Sequence, residues 1–211
     1  MKRKGFLMIL TVMFLSLFLF QRSFSQTVNN NTDELQNLMK MYNSESNANA
    51  KYLVFAKKAQ KEGYLPIASL FKATARAEQV HFEQNAQKIK KLGGVPKAVI
   101  NLPEIKSTVE NLKFSVKGET REQKEAIDEL NTLTSKKNAD PKLIGFAKGK
   151  LAVINNHLSL YKNALEKISK LKTNNQVEYF VCPVCGYVSD NLPKTECPVC
   201  KTPSSKFIAV K

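Results

Sequence analysis

Glu78-Gln79-Val80-His81 sits inside a long helical segment and decides how the chain is read. Positions i and i+3 neighbour each other on a helix, so this Glu-x-x-His puts a carboxylate and an imidazole on one face. Ile67, Leu70, Phe71 and Thr74 precede it on the same stripe, which marks that face as the one turned to a core. A buried acid beside a buried histidine is costly unless something compensates their charge.

Working outward, four helices are predicted. The first runs from Asp33 to about Glu62, with Leu38, Met41, Tyr42, Tyr52, Phe55 and Ala59 at helical spacing, and Gly63 stops it. Pro66 suits the first turn of the second, which reaches Leu92 before Gly93-Gly94. Residues 95–106, holding Pro96 and Pro103, form a longer crossover. Ser107-Thr108-Val109-Glu110 reads as a capping box opening a third helix to about Lys136. Asp140-Pro141 starts a fourth, to about Lys172. The pattern short loop, crossover, short loop gives two helical hairpins, hence an all-α antiparallel four-helix bundle over residues 33–172.

Further polar residues fall on the inward stripes. Glu45 shares the stripe of Leu38, Met41 and Tyr42. Glu119 and Glu122, again i and i+3, align with Leu112, Ala126 and Leu130, and His157 lies between Ile154 and Tyr161. Glu45 to His81 spans 36 residues and Glu119 to His157 spans 38, so the two hairpins repeat one layout. His81 and His157 are the only 2 histidines in the chain. Four carboxylates carry a charge that two divalent cations would balance, and metal ions are the usual solution in such bundles. The competing reading is that the stripes are misphased and these acids face water.

Cys182-Pro183-Val184-Cys185 and Cys197-Pro198-Val199-Cys200 contain all 4 cysteines. Each Cys-x-x-Cys places two sulfurs on one tight turn, and two facing turns make a tetrahedral S₄ cage for iron or zinc. Thr173-Asn174-Asn175-Gln176 is the polar linker to this small metal module, residues 177–211. With every thiol committed to the cage, no structural disulfide is predicted.

Net charge is +15, from lysines spread along helices without the aromatic interleaving of a nucleic-acid surface. Lys2, Arg3 and Lys4 ahead of an apolar run to Phe20, with Ser23-Phe24-Ser25 before Gln26, read as an export signal over residues 1–25. An uncleaved N-terminal anchor is the alternative. Removing the signal takes four basic residues and no acid, leaving +11. Residues 26–32 are Asn-rich and expected to be disordered. The mature chain is expected outside the cytoplasm, in the periplasm.

The whole of the mature chain resembles the rubrerythrins, in which a ferritin-like di-iron domain precedes a rubredoxin-like domain. The resemblance rests on Glu45-Ser46-Asn47-Ala48 with Tyr52, on Lys61-Glu62-Gly63-Tyr64, on Glu78-x-x-His81, on Gly118-Glu119-Thr120-Arg121-Glu122, and on Cys182, Cys185, Cys197 and Cys200. It implies that Glu45, Glu78, His81, Glu119, Glu122 and His157 ligate an iron pair and that the cysteines hold a single iron, zinc being the alternative there. It further implies reduction of hydrogen peroxide to water, an electron donor that the sequence does not name, and a homodimer. Glu122, exchanging with His81 as a ligand, and Tyr52, a hydrogen-bond donor within the site, are the candidate catalytic residues. The chain departs from the family pattern at Ile154, where the fourth helix repeats the motif with a glutamate, and at Ile127, a tyrosine in many relatives. The departure at Ile154 supports an alternative function: an electron-transfer or iron-binding protein with an impaired di-iron site.

Overall fold

A computed structural model describes the backbone of residues 4–211 and the side chains of residues 32–211. The expected export signal over residues 1–25 and the Asn-rich stretch up to residue 31 lie outside the residues described with side chains. Four helices make the body: α1 (Lys4–Lys61), α2 (Leu65–Lys91), α3 (Thr108–Thr134) and α4 (Pro141–Glu166). Among the described residues, no helix is long and apolar enough to cross a membrane.

The ends of these helices follow from local chemistry. Gly63 takes φ +78 and turns the chain between α1 and α2, a conformation open to glycine. The Ser107 hydroxyl accepts from the Glu110 N–H while the Glu110 carboxylate accepts from the Ser107 N–H, which closes the expected capping box. Asp140 caps α4 by accepting from Lys142 N at 2.8 Å, with Pro141 in the first turn. The fourth helix stops at Glu166 rather than Lys172: Lys167 leaves helical geometry and a 3₁₀ turn (Ile168–Lys170) follows. That turn brings Thr173 beside Tyr64, and Leu65 N donates to Thr173 O.

Tyr52, Phe55, Ile67, Leu70, Phe71, Leu112 and Tyr161 form the centre of the bundle, drawing on all four helices. The rings of Tyr52, Phe55, Phe71 and Tyr161 pack with centroids 5.5–6.5 Å apart. Met41, expected on the inner stripe of α1, is exposed instead. The crossover after α2 runs along α1, where Asn43 and Asn47 side chains hydrogen-bond the backbone of Val99 and Asn101.

After the linker, β1 (Tyr179–Val181), β2 (Val188–Ser189) and β3 (Ile208–Val210) form an antiparallel sheet in the order β2-β1-β3. Val181 and Val188 are buried against Ala73 and Ala77 of α2. Val188 N donates to Asn156 Oδ1 on α4 at 3.0 Å. The small module is thus seated on the bundle of its own chain, across α2 and α4.

Candidate metal centres

Each hairpin delivers part of one buried polar cluster. Glu45, Glu78 and His81 offer ligand atoms within 4.8 Å of one another, and so do Glu78, Glu119 and His157. Glu78 belongs to both groups. The first group comes wholly from α1 and α2, whereas the second spans α2, α3 and α4. Glu122, half-buried one turn beyond Glu119, interacts with Glu119, Glu78 and Glu45. All six bundle residues singled out from the sequence therefore come together.

The electrostatics are those of acids packed too closely for all to ionise. Burial first, and the Glu78 charge second, raise Glu45 well above the usual carboxylate range. The same two causes push Glu119 up to about 8, and burial with the Glu119 charge pushes Glu122 to about 7. Burial also opposes ionisation of Glu78, but the hydrogen bond and charge of His81 outweigh it and hold its carboxyl low. His81 is correspondingly raised by Glu78 against the effect of burial. His157, fully buried, is lowered by that burial. Protonation relieves the repulsion between these acids, as cations would.

Both imidazoles are oriented by the small module. His81 Nε2 donates to Cys185 O at 3.1 Å, leaving Nδ1 facing Glu78 Oε2 at 3.2 Å. His157 Nε2 donates to Gly186 O at 3.0 Å, so its Nδ1 is the atom free to ligate. A carbonyl on the far nitrogen fixes the tautomer and raises the basicity of the near one. Tyr52 is fully buried, and its hydroxyl donates to Glu119 Oε1 at 2.9 Å. The Tyr161 hydroxyl, one turn after His157, pairs with Thr74 Oγ1 at 2.6 Å.

The four cysteines converge in the module. Cys182 Sγ and Cys200 Sγ lie 3.5 Å apart, as do Cys185 Sγ and Cys197 Sγ, and all four are free thiols. Sulfurs about 2.3 Å from a central ion stand roughly 3.8 Å from each other in a tetrahedron, so the spacing fits a single metal. The two knuckles repeat one geometry: Gly186 N donates to Cys182 O, and Lys201 N donates to Cys197 O. The residue after each second cysteine is left-handed, Gly186 at φ +76 and Lys201 at φ +63. The thiol of Cys182 falls to about 4, first through its hydrogen bond with Cys185.

Comparison with known proteins matches both parts of the chain. The rubrerythrin profile covers residues 36–146, and the rubrerythrin rubredoxin-like domain covers residues 180–208. The chain belongs to the rubrerythrin family. It is 30% identical over 176 residues to nigerythrin of Nitratidesulfovibrio vulgaris, covering 83% of this chain and 85% of that protein. It is also 30% identical over 196 residues to a putative rubrerythrin of Methanocaldococcus jannaschii, covering 84% and 93%. Among solved structures, fully reduced, all-ferrous nigerythrin superposes with a TM-score of 0.69 at 28% identity, over 83% of this chain and 85% of that one. The rubrerythrin architecture is thus a ferritin-like bundle with a di-iron site, followed by a rubredoxin-like iron site.

The donor sets fit those groups. Oxygen and imidazole ligands around a shared carboxylate suit a pair of hard-to-borderline cations, and four thiols suit one iron. Three residues that shape the rubrerythrin site were given no role in the reading of the sequence, Glu62 entering only as part of a matching stretch. Gly186 carries the carbonyl that meets His157, and Asn156 anchors the module. Glu62 accepts from Thr108 N at 2.7 Å and from Thr108 Oγ1 at 2.6 Å, holding the start of the helix that bears Glu119 and Glu122. A glycine directly after the second cysteine of a knuckle was the visible signal for the first.

Proposed function

We propose that this rubrerythrin-family chain is a peroxide reductase. One observation supports the reading most strongly: backbone carbonyls of the cysteine knuckle hydrogen-bond both histidines of the carboxylate cluster. A single-ion S₄ centre and a two-ion carboxylate centre joined in this way suit one-electron input feeding a two-electron reaction. Reduction of one hydrogen peroxide takes two electrons and two protons and yields two waters. An iron pair held by the carboxylate cluster would supply the two electrons, and an iron held by the four cysteines would pass electrons one at a time.

The chain's own residues prepare that site. Glu45, Glu78 and His81 would hold one ion, and Glu78, Glu119 and His157 the other. Tyr52, by donating to Glu119, fixes the carboxylate's orientation and keeps its second oxygen toward the cluster. Glu122 carries a carboxyl that gains or loses a proton near neutrality in the ion-free site, and its half-buried position gives it contact with solvent. The buried aromatic layer of Tyr52, Phe71 and Tyr161 adjoins the cluster through the bond from Tyr52 to Glu119. Residues 1–25 direct the chain out of the cytoplasm, which N-terminal sequencing of the mature protein checks. The working unit is a homodimer, which sedimentation checks.

The test is metal content and peroxide consumption of anaerobically purified chain lacking residues 1–25. About three irons per chain with stoichiometric peroxide loss, two electrons per molecule, is the expected result. Ile154 favours a second reading, an electron carrier or iron-binding protein. About one iron per chain, lost on Cys182→Ser, would establish that reading in place of the first.

A further inference from the structure

The two halves of the carboxylate cluster are built alike except at one position. On α2, Glu78 stands three residues before His81 and serves both ligand groups. On α4, the residue three before His157 is Ile154, which is 7% exposed. The hairpin of α3 and α4 therefore carries a buried apolar residue at the position where the hairpin of α1 and α2 carries its shared carboxylate.

The formal charges then count as follows. Glu45, Glu78 and Glu119 of the two ligand groups and Glu122 beside them supply −4 once deprotonated, and two neutral imidazoles add nothing. Two divalent ions close that count to zero. Two trivalent ions leave +2 beside the buried side chains of Ile154, Tyr52 and Tyr161. A further charge nearby has the wrong sign to help, since the Lys51 ammonium lies 4.2 Å from the Tyr52 ring centroid and acts on both Glu119 and Glu122. Uncompensated charge in such surroundings is strongly disfavoured.

We infer that Ile154 makes the cluster selective for a divalent pair: four carboxylates suffice to hold two divalent ions but not to favour their oxidation to the trivalent state. The inference rests on the two-ion reading of the cluster and is independent of peroxide turnover. Loss of one electron from each ion, to whatever acceptor, leaves +2 that the protein does not balance and that water-derived hydroxide must meet, where an acid at residue 154 would leave +1. The site consequently sits at a higher reduction potential than the same site with an acid at residue 154, and it accepts electrons from weaker donors.

The experiment compares the native chain with Ile154→Glu, Ile154→Gln and Ile154→Leu, each lacking residues 1–25 and loaded anaerobically with ferrous iron. Iron per bundle and the midpoint of the pair are read, with colour of the cysteine centre reporting a folded module. The expected result is two ions in the native bundle. The Glu variant is expected to move at least tenfold per electron toward the oxidised state, ~59 mV, while Gln and Leu stay within threefold of native. Gln offers a ligand oxygen without charge, so an equal shift in Gln and Glu would overturn the charge argument. So would an unmoved Glu variant, or fewer than two divalent ions in the native bundle. The native chain also answers alone: it is expected to take up two zinc(II) ions per bundle and to refuse gallium(III) at the same concentration. Uptake of two gallium(III) ions would overturn the inference. Two ferrous ions with the expected shift but no peroxide consumption would uphold it and overturn the peroxidase reading.

Discussion

At Glu119 the carboxyl is 2% exposed and needs a proton or a cation to stay there. Its folded pKa of about 8, and that of Glu122 at about 7, stand above the 4.5 of an exposed glutamate. The ion-free folded chain therefore binds more protons than the unfolded chain between pH 4.5 and 8. Their contribution to stability is full below pH 4.5 and is lost as pH rises through 8. His81, also raised, acts in the same direction above pH 6.5, while His157, lowered, matters only below it. Melting of the chelator-treated protein is thus expected to fall from pH 6.5 to 8 by an amount on the order of a few kcal/mol. The metal-loaded protein should show no such slope, because cations replace the protons. Parallel melting curves across that range would refute this account of the cluster.

At the scale of elements, two contacts decide whether the centres communicate and whether α3 stays in place. A Cβ on Gly186 would stand 2.5 Å from His81 Nε2 and 3.4 Å from Ala77 Cβ, and φ +76 disfavours any side chain there. Gly186→Ala is expected to lift the knuckle off α2 while its four cysteines still bind iron. The measurement is single-turnover reduction of the bundle centre, which should slow at least tenfold at unchanged iron content. Glu62 acts at the other end of the bundle as a cap from α1 onto α3. The two hydrogen bonds from Thr108 hold its carboxyl at about 2, below the unfolded 4.5. That stability is present above pH 4.5 and disappears as pH falls toward 2. Glu62→Ala should cost about 1 kcal/mol at neutral pH, some 2–4 °C in Tm, and abolish that acid-range dependence. These contacts explain what the sequence could and could not reveal. Glu78 and His81, or Cys182 and Cys185, are three residues apart, and local spacing alone puts them on one face or one turn. His81 and Cys185 are 104 residues apart, and only the docked module brings the imidazole to the carbonyl. The early end of α4 depended likewise on Thr173 meeting Tyr64, a contact that helical periodicity does not encode.

For the whole molecule, the sequence left open whether a knuckle serves its own bundle or that of a second chain. The structure seats it within the chain, through Asn156, His157, Ala77 and the Lys72 ammonium, which donates to the Lys211 carbonyl at 3.0 Å. A mixing experiment follows. One chain carries Cys182→Ser and Cys185→Ser, and the other carries Glu78→Gln. If electrons pass within each chain, co-expressed mixtures should consume peroxide no faster than either variant alone. Recovery toward a quarter of native activity would mean exchange between chains. The division of ligands between hairpins also carries a consequence for assembly. An ion held by Glu45, Glu78 and His81 would have those ligands on α1 and α2, a hairpin closed by Gly63 and formed through contacts near in sequence. An ion held by the other group would borrow Glu78 from that hairpin and reach across to α3 and α4. Loading would then be ordered: the first ion could be captured by half a bundle, and the second would be a latch that sets only when both halves have met.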